Sequence, residues 1–206
     1  CLQEVRVWSE QNPRHAPIWI SFNLKDQAIP GLPDPELFTP EALNLLDEQL
    51  RGALTTQLIQ PADVQGLNWP TLAEARGKVL LILDEGGAKR DWYYNNWQTR
   101  PMFTNAPEGH PAAGVMIIND PIKDFARIQR LVKAGYLVRT RADAGTLEAR
   151  SNDTLRRDRA FASGAQAIST DYYLAATHFG NDYRVAIDGG VRCNPVLLPQ
   201  PCVVAQ

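Results

Sequence analysis

The 206-residue chain carries 21 Lys+Arg against 23 Asp+Glu, a formal net charge of -2, and 44% apolar residues. This composition is typical of a globular protein and argues against a disordered, collagen-like or coiled-coil chain. The near-zero charge gives no electrostatic reason to expect a nucleic-acid partner. No apolar run approaches the roughly 20 residues of a membrane-spanning helix.

The termini and cysteines bear on processing and compartment. The chain opens on Cys1 rather than Met, so we expect either that a leader was removed or that the sequence is a fragment. Cys193 and Cys202 flank a proline-rich tail, where a short disulfide would leave Cys1 unpaired. The alternative is three inert thiols. We predict a single domain over residues 1–206, with a proline-rich C-terminal extension over 190–206.

Five apolar runs of five to seven residues suggest strands buried on both faces of a parallel sheet. They cover residues 17–23, 78–84, 115–119, 136–141 and 165–171. A helix is predicted between most of these runs, so the pattern indicates α/β architecture.

The helix starts are marked by capping signals. Residues 39–40, Thr-Pro, predict one start, and residues 71–74, TLAE, form a capping box at a second. Two further helices are expected to begin at Asp120 and at residues 152–153. Residues 85–114 show no clear helical period, which makes them the weakest part of the pattern.

Polar side chains follow the predicted strands, where the carboxyl ends of parallel strands form the active-site face of α/β proteins. They are Asn23 with Lys25, Asp84, Arg139 with Arg141, and Asp171. Arginines suit a phosphate group, and amide or carboxylate oxygens suit a hard cation. The pattern predicts an anionic, phosphate-bearing substrate with a possible metal ion.

Other interpretations of these polar residues remain open. Asp26 and Glu85 are more simply solvated loop residues, and Arg141 can pair locally with Asp143. The aromatic stretch 92–97 either forms a lip at the site or packs in the core.

The three histidines are predicted to lie in loops, away from the strand ends where a general base is wanted. They are His15, His110 and His178.

Several segments resemble the calcium-dependent phosphoinositide-specific phospholipase C family of bacteria and fungi. They are the opening residues 1–18, 69–79 (WPTLAEARGKV), 135–143 (GYLVRTRAD), 164–171 (GAQAISTD) and 192–195 (RCNP). The resemblance covers essentially the whole chain. It implies a TIM (β/α)8 barrel of the phospholipase C-like phosphodiesterase type, with only about five strands, the fourth to the eighth, in this chain.

The family implies a phosphoric diester hydrolase or lyase in which two histidines act as acid and base and calcium stabilises the phosphate. Those histidines come from the first three strands of the family, so this chain alone is expected to lack them and to need the missing N-terminal half of the barrel. Asn23 stands where the family has a calcium-binding carboxylate. The resemblance also implies secretion and action in lipid metabolism on a small-molecule or phospholipid phosphodiester, with possible membrane-surface contact.

The resulting assignments are Asp84 and Lys25 as catalytic residues, Arg141, Arg139 and Asp171 as substrate-binding residues, and Asn23 as the metal ligand for Ca2+. Two alternatives stay open. One is a glycerophosphodiester phosphodiesterase-like enzyme, which would favour a water-soluble diester. The other is a non-catalytic, barrel-derived binding protein.

Overall fold

The computed structural model describes residues 1–187, 189–198 and 202–203. The chain divides into two compact units, Cys1–Val115 and Met116–Gln206. The single domain predicted over 1–206 stays a prediction. Within the predicted extension over 190–206, residues 199–201 and 204–206 lie outside the described part of the chain.

The first unit is built on a parallel sheet centred on β3 (Val79–Leu83). All five residues of β3 are buried, as expected for an unbroken apolar run. β1 (Ile18–Phe22) pairs along its whole length, with Phe22 opposite Leu83. On the other edge, β2 (Leu58–Ile59) pairs with the start of β3 and β4 (Met102–Thr104) with its end.

One helix of the first unit precedes β1, and the others lie between the strands along the chain. The helices are α1 (Leu2–Gln11), α2 (Pro40–Leu54), α3 (Leu72–Ala75) and α4 (Gly87–Tyr94), with 3-10 segments at Thr55–Gln57, Pro61–Leu67 and Trp97–Thr99.

The two helix starts predicted from capping signals in this unit are confirmed. The Thr39 hydroxyl accepts a hydrogen bond from the Ala42 amide at 3.2 Å, at the start of α2. Thr71 and Glu74 form the reciprocal capping box of α3. One face of α2 then buries Leu43, Leu50 and Leu54 against the sheet, a core expected to stabilise the fold by about 1.5–3 kcal/mol per side chain.

A three-stranded sheet has the order β5 (Val115–Ile117), β6 (Leu137–Arg141), β7 (Ala167–Ser169), and apart from Val115 it belongs to the second unit. β6 and β7 are parallel, with Arg141 opposite Ser169. Its helices are α5 (Phe125–Lys133), α6 (Leu147–Ser151) and α7 (Leu155–Ala162), and a 3-10 segment spans Thr177–Phe179.

The predicted elements are present with some corrections. Each of the five predicted runs contains a strand, but the described residues add two short ones, β2 and β4, to the five. The helix expected from Asp120 begins at Phe125, because the Asp120 carboxylate instead closes a turn by accepting from the amides of Ile122 and Lys123. These two bonds, that of Lys123 foremost, lower the pKa of Asp120.

The cysteines differ in their state. Cys193 and Cys202 form a disulfide with a Cα–Cα distance of 6.1 Å, and Cys1 is a free, exposed thiol. The disulfide alternative is therefore the one observed. Among the residues described, none of the helices combines the length and apolar character needed to cross a bilayer.

Candidate functional site

A cavity of about 660 Å³ lies in the first unit, at the carboxyl ends of β1 and β3. Its lining is mostly polar and comprises Asn23, Leu24, Lys25, Asp26, Gln27, Ile29, Asp84, Glu85, Gly86, Lys89, Arg90 and Asn105. Three of the residues predicted from the strand ends, Asn23, Lys25 and Asp84, therefore line a single cavity. Parallel pairing of the two strands explains this, because it brings their carboxyl ends to the same edge.

A hydrogen bond joins the two strand ends at the floor of the cavity. The Asn23 amide Nδ2 donates to the main-chain oxygen of Asp84 at 2.7 Å. The Asp84 amide continues the ladder by donating to the Phe22 oxygen at 2.9 Å. Neither Asn23 Oδ1 nor the half-buried Asp84 carboxylate has a partner among the described residues, so both remain available as acceptors.

The segment that carries Lys25 is fixed from both sides. The carboxylate of Glu85 accepts from the Leu24 amide, and the ammonium of Lys89, on α4, donates to the Leu24 oxygen. The Leu24 side chain is itself buried in the core beneath the cavity. The backbone on the amino side of Lys25 is thus held by two charged side chains.

Asp26 holds the carboxyl side of the same segment. Its Oδ1 accepts from Lys89 Nζ at 2.5 Å and its Oδ2 from the Phe38 amide at 2.9 Å. The Lys89 ammonium also lies 5.5 Å from the centre of the Phe38 ring. The Lys89 bond, followed by the Phe38 amide, lowers the pKa of Asp26. Asp26 and Glu85 are thus half-buried, hydrogen-bonded residues of the cavity wall.

Of the three cationic side chains that line the cavity, two form ion pairs with carboxylates. Lys89 pairs with Asp26, and the Arg90 guanidinium pairs with Asp91 at 2.8 Å. Lys25 is exposed and has no ion-pair partner among the described residues. Lys25 is therefore the cation best placed to meet a negatively charged ligand.

Calcium prefers six to eight oxygen ligands, several of them carboxylates. Asn23 and Asp84 can offer at most three side-chain oxygens, but Asp26 is engaged by Lys89 and Glu85 by the Leu24 amide. Within the described ranges, no group of three or more His, Cys, Asp or Glu residues is placed to hold a metal ion. The described residues alone do not fit a calcium site.

The other three predicted site residues belong to the second unit. Arg141 ends β6 with an exposed side chain, and Asp171 is exposed two residues beyond β7. The Arg139 guanidinium donates to Asn119 Oδ1 at 2.6 Å. The two arginines thus share one face of β6, as their parity predicts.

Local pairing of Arg141 with Asp143 does not occur among the described residues. Asp143 is buried and accepts from the Thr170 hydroxyl and from the Asp171 amide. The nearby Tyr183 hydroxyl donates to the Ala142 oxygen, and burial, with the charge of Asp143, raises the pKa of Tyr183 to about 12. Asp143 therefore supports the loop after β6 and leaves Arg141 available.

None of the three histidines lines the cavity. His15 lies at the amino end of β1, with Nε2 2.7 Å from the Ser9 hydroxyl and Nδ1 2.6 Å from the Ala16 oxygen. His110 accepts from the Ala112 amide at 3.1 Å, and the His178 ring contacts the Phe179 ring in a tilted arrangement. His15 and His110 lie in loops as predicted, whereas His178 lies in the 3-10 segment Thr177–Phe179.

The aromatic stretch 92–97 divides between the two interpretations. Tyr93 is fully buried, and its hydroxyl donates to Asp47 Oδ1 at 2.6 Å. Trp92 remains exposed, but it does not line the cavity. The packing interpretation holds for Tyr93.

The cavity is also lined by Lys89, Arg90 and Asn105, which no sequence pattern predicts as site residues. Lys89 and Arg90 lie on α4, which begins with Gly87 and buries only Tyr93. Such a helix leaves no apolar stripe to detect. Asn105 follows the three-residue strand β4, which is too short to give a pattern.

Comparisons with known proteins assign the family. The model of phosphoinositide phospholipase C, Ca2+-dependent, matches residues 1–195, so the chain belongs to this family. This favours the phosphoinositide interpretation over the glycerophosphodiester one. No curated protein matches the chain significantly.

Solved structures agree on the fold. A calcium-dependent phosphoinositol-specific phospholipase C from Pseudomonas sp. is similar with a TM-score of 0.51 and 18% identity, over 69% of this chain. A calcium-dependent phosphatidylinositol-specific phospholipase C from Streptomyces antibioticus has a TM-score of 0.58 and 16% identity, over 84% of this chain and 70% of its own. The chain spans 58% of the Pseudomonas chain. At these identities the similarity establishes an α/β fold with parallel sheets.

Proposed function

We propose that this chain forms the headgroup-binding part of a phospholipase C-like phosphodiesterase whose substrate is a phosphoinositide. The observation that carries the proposal is the convergence of Asn23, Lys25 and Asp84 on one cavity at the carboxyl ends of parallel strands. We further propose that the five strands within the predicted apolar runs are the fourth to eighth strands of a TIM barrel; they are β1, β3, β5, β6 and β7. Catalytic and binding groups of such barrels lie at this end of the strands.

Each cavity residue has a role that its chemistry supports. The unpaired ammonium of Lys25 attracts and orients the phosphodiester anion. The free carboxylate of Asp84 accepts hydrogen bonds from the hydroxyls of an inositol ring, where it either orients the ring or draws a proton from it. Asn23 fixes the Asp84 loop and offers one neutral oxygen to the same ring.

In the second unit, we propose that Arg141 binds phosphate or inositol hydroxyls. The support is its exposed guanidinium at the end of β6, which the buried Asp143 leaves without a salt bridge among the described residues. Arg139, tied to Asn119, keeps its side chain on the same face, and Asp171 offers a carboxylate to hydroxyl groups.

Cleavage of the diester needs acid and base groups on both sides of the phosphorus. No histidine lines the cavity, so we propose that the 206 residues bind the headgroup but do not turn it over by themselves. The family is described as calcium-dependent. The described residues do not by themselves form a calcium site.

One observation favours a second candidate, a non-catalytic binding protein: the histidines of the described chain are engaged elsewhere. The same headgroup would then be held without cleavage. We also propose that the protein is secreted, because a disulfide such as Cys193–Cys202 persists in the oxidising environment outside the cell.

Calorimetric titration of the 206-residue protein with myo-inositol 1-phosphate tests the proposal. We expect saturable binding, at least about tenfold tighter than that of glycerol 1-phosphate, because the Asp84 carboxylate can meet several ring hydroxyls. A preference for glycerol 1-phosphate would contradict it in favour of the glycerophosphodiester alternative. Full turnover of phosphatidylinositol by these 206 residues would contradict the claim that they only bind. Binding without turnover by a longer natural chain would favour the binding protein.

A further inference from the structure

A second cavity, of about 250 Å³, lies in the first unit between α2 and the segment that leads into β4. Its lining includes Asn44, Asp47, Glu48, Arg51, Thr99 and Arg100. Arg100 stands two residues before β4, near the amino end of that strand, whereas the first cavity lies at the carboxyl ends of β1 and β3. Among the described residues, the two cavities share no lining residue. The proposed function therefore gives the second cavity no role.

The guanidinium of Arg100 is buried in the wall of the second cavity. Its side chain is only 10% exposed, and its Nη1 donates to Asn44 Oδ1 at 2.6 Å and to Asp47 Oδ2 at 2.9 Å. Its Cζ also lies over the ring of Tyr93, 4.7 Å from the ring centre. Packing and two hydrogen bonds thus fix the guanidinium in place, which lowers the entropic cost of binding a ligand to it.

The other edge of this guanidinium has no partner. Nε of Arg100 is buried without a hydrogen bond, and none of the described residues accepts from Nη2. The Nε–H and Nη2–H groups of an arginine form a planar fork that can hold a carboxylate through two parallel hydrogen bonds. A buried donor without an acceptor costs free energy, so such a donor indicates a partner from outside the chain.

The remaining charges of the second cavity decide which partner fits. Arg51 donates to the Thr99 main-chain oxygen and has no carboxylate partner among the described residues, so it offers a second positive charge. Glu48 is exposed and has no ion pair within the described part of the chain. Two carboxylates balance two guanidiniums in the lining, so the cavity is neutral as a whole. A neutral cavity suits a singly charged anion better than a phosphate dianion.

We propose that the second cavity binds the carboxylate of a small organic acid, held by the Nε–Nη2 edge of Arg100 and by the charge of Arg51. The planar carboxylate matches the planar fork and supplies the acceptors that Nε and Nη2 lack. Glu48 opposes the anion and limits its affinity. The inference goes beyond the proposed function and does not depend on it, because a different set of residues forms the site.

Proton–nitrogen correlation spectra of the 206-residue protein, titrated with sodium acetate, test the inference. The Arg100 Nε–H resonance is expected to move downfield and to saturate, because a hydrogen bond to a charged acceptor deshields the proton. Sodium chloride at the same ionic strength is the reference and should leave the resonance in place. A resonance that moves no further with acetate than with chloride overturns the inference. A larger shift with sodium phosphate than with acetate also overturns it.

Arg51→Met tests the second cation without touching the buried pair of Asp47 and Arg100. It should weaken acetate binding by at least about fivefold, because it removes a partly exposed charged donor. Arg76→Met is the matched control, since Arg76 likewise donates to a main-chain oxygen, that of Arg14, but does not line the cavity. The control should bind acetate like the wild type. Equal affinity in Arg51→Met and in the control would overturn the inference.

Glu48→Gln should change the affinity in the opposite direction. It removes a repulsive charge from an exposed position in the lining, so acetate should bind about two- to fivefold more tightly. Weaker acetate binding in Glu48→Gln would contradict an anion site.

Lys25→Met separates this inference from the proposed function. Lys25 lines only the first cavity, so the variant should lose affinity for myo-inositol 1-phosphate and keep the acetate-induced shift of Arg100. Loss of that shift together with Lys25 overturns the inference. If the shift is observed but the wild type does not bind myo-inositol 1-phosphate, the carboxylate site stands and the proposed headgroup site fails.

Discussion

Asn23 and Asp84 are joined by a hydrogen bond of 2.7 Å from the Asn23 amide to the Asp84 main-chain oxygen. The bond links the ends of β1 and β3, whose parallel register places Phe22 opposite Leu83. The bond engages the amide Nδ2 of Asn23 with the backbone. The Asn23 amide oxygen and the Asp84 carboxylate remain as acceptors. The acceptor side of the cavity therefore depends on these two residues.

Asp84→Asn is expected to weaken binding of myo-inositol by at least about tenfold, because a hydroxyl bonded to a charged carboxylate contributes about 1.5–3 kcal/mol. The backbone bond from Asn23 uses the main chain of residue 84 and survives the change. Calorimetry with myo-inositol measures the loss. Glu10→Gln, at an exposed ion pair on α1, serves as the control and should bind normally. Equal affinity in the wild type and Asp84→Asn would remove Asp84 from the site.

Asn23→Asp tests the metal-binding capacity of the cavity. A second carboxylate beside Asp84 should raise calcium affinity by at least about tenfold, because calcium affinity rises with the number of charged ligands. Titration followed by calorimetry measures the change. The double variant Asn23→Asp with Asp84→Asn should lose most of the gain. A wild type that already binds calcium as tightly as Asn23→Asp would show that a neutral amide suffices.

Lys89→Met should loosen the segment that carries Lys25. Lys89 bonds both the Leu24 oxygen and Asp26, so its loss frees the backbone on either side of Lys25. We expect binding of myo-inositol 1-phosphate to weaken about tenfold, with faster proteolytic cleavage within residues 27–37.

Lys89→Arg provides the matched comparison, because it keeps the charge and can donate to Asp26. It should restore part of the affinity and most of the resistance to cleavage. If Lys89→Met lost affinity with no change in cleavage, Lys89 would act on the anion directly and not through the segment.

The strand ends could be predicted from sequence, whereas the contacts that organise them could not. Asn23 and Asp84 stand out because each follows a buried apolar run, and parallel strands bring such positions together. Leu24 donates to Glu85 and accepts from Lys89, and each bond joins residues more than 60 positions apart. No local sequence pattern encodes such bonds. Asp26 appeared solvated in sequence because its partner lies on α4.

In the second unit too, the side-chain direction along a strand could be predicted from sequence, whereas a loop contact could not. Parity placed Arg139 and Arg141 on one face of β6, as observed. It could not reveal that Asp143 turns toward Thr170 instead of Arg141, because that choice depends on the backbone after β7.

Asp47→Asn is expected to destabilise the first unit by about 3 kcal/mol or more, because it leaves a buried cation unpaired. Asp47 is buried and accepts from Arg100 at 2.9 Å and from the Tyr93 hydroxyl at 2.6 Å. Burial, with the charge of Asp47, raises the pKa of Tyr93. Urea unfolding measures the loss. Tyr93→Phe removes the hydroxyl that donates to Asp47 and accepts from the Met102 amide but keeps the charge pair, and it should cost about 1–2 kcal/mol. A cost for Asp47→Asn no larger than that of Tyr93→Phe would contradict the importance of the buried charge pair.

Asp26→Asn tests how the charge of the Asp26 carboxylate contributes to stability at different pH values. The Lys89 ammonium and the Phe38 amide hold the pKa of Asp26 below its usual range in the folded protein. Between that lowered pKa and the unfolded value of about 3.9, the unfolded chain binds more protons, so stability rises with pH. The advantage of the wild type over Asp26→Asn should therefore be fully present above about pH 5 and disappear as the pH falls through the lowered pKa. Urea midpoints of both proteins across this range measure it, and a difference that stays constant down to about pH 2 would show that the carboxylate charge contributes nothing.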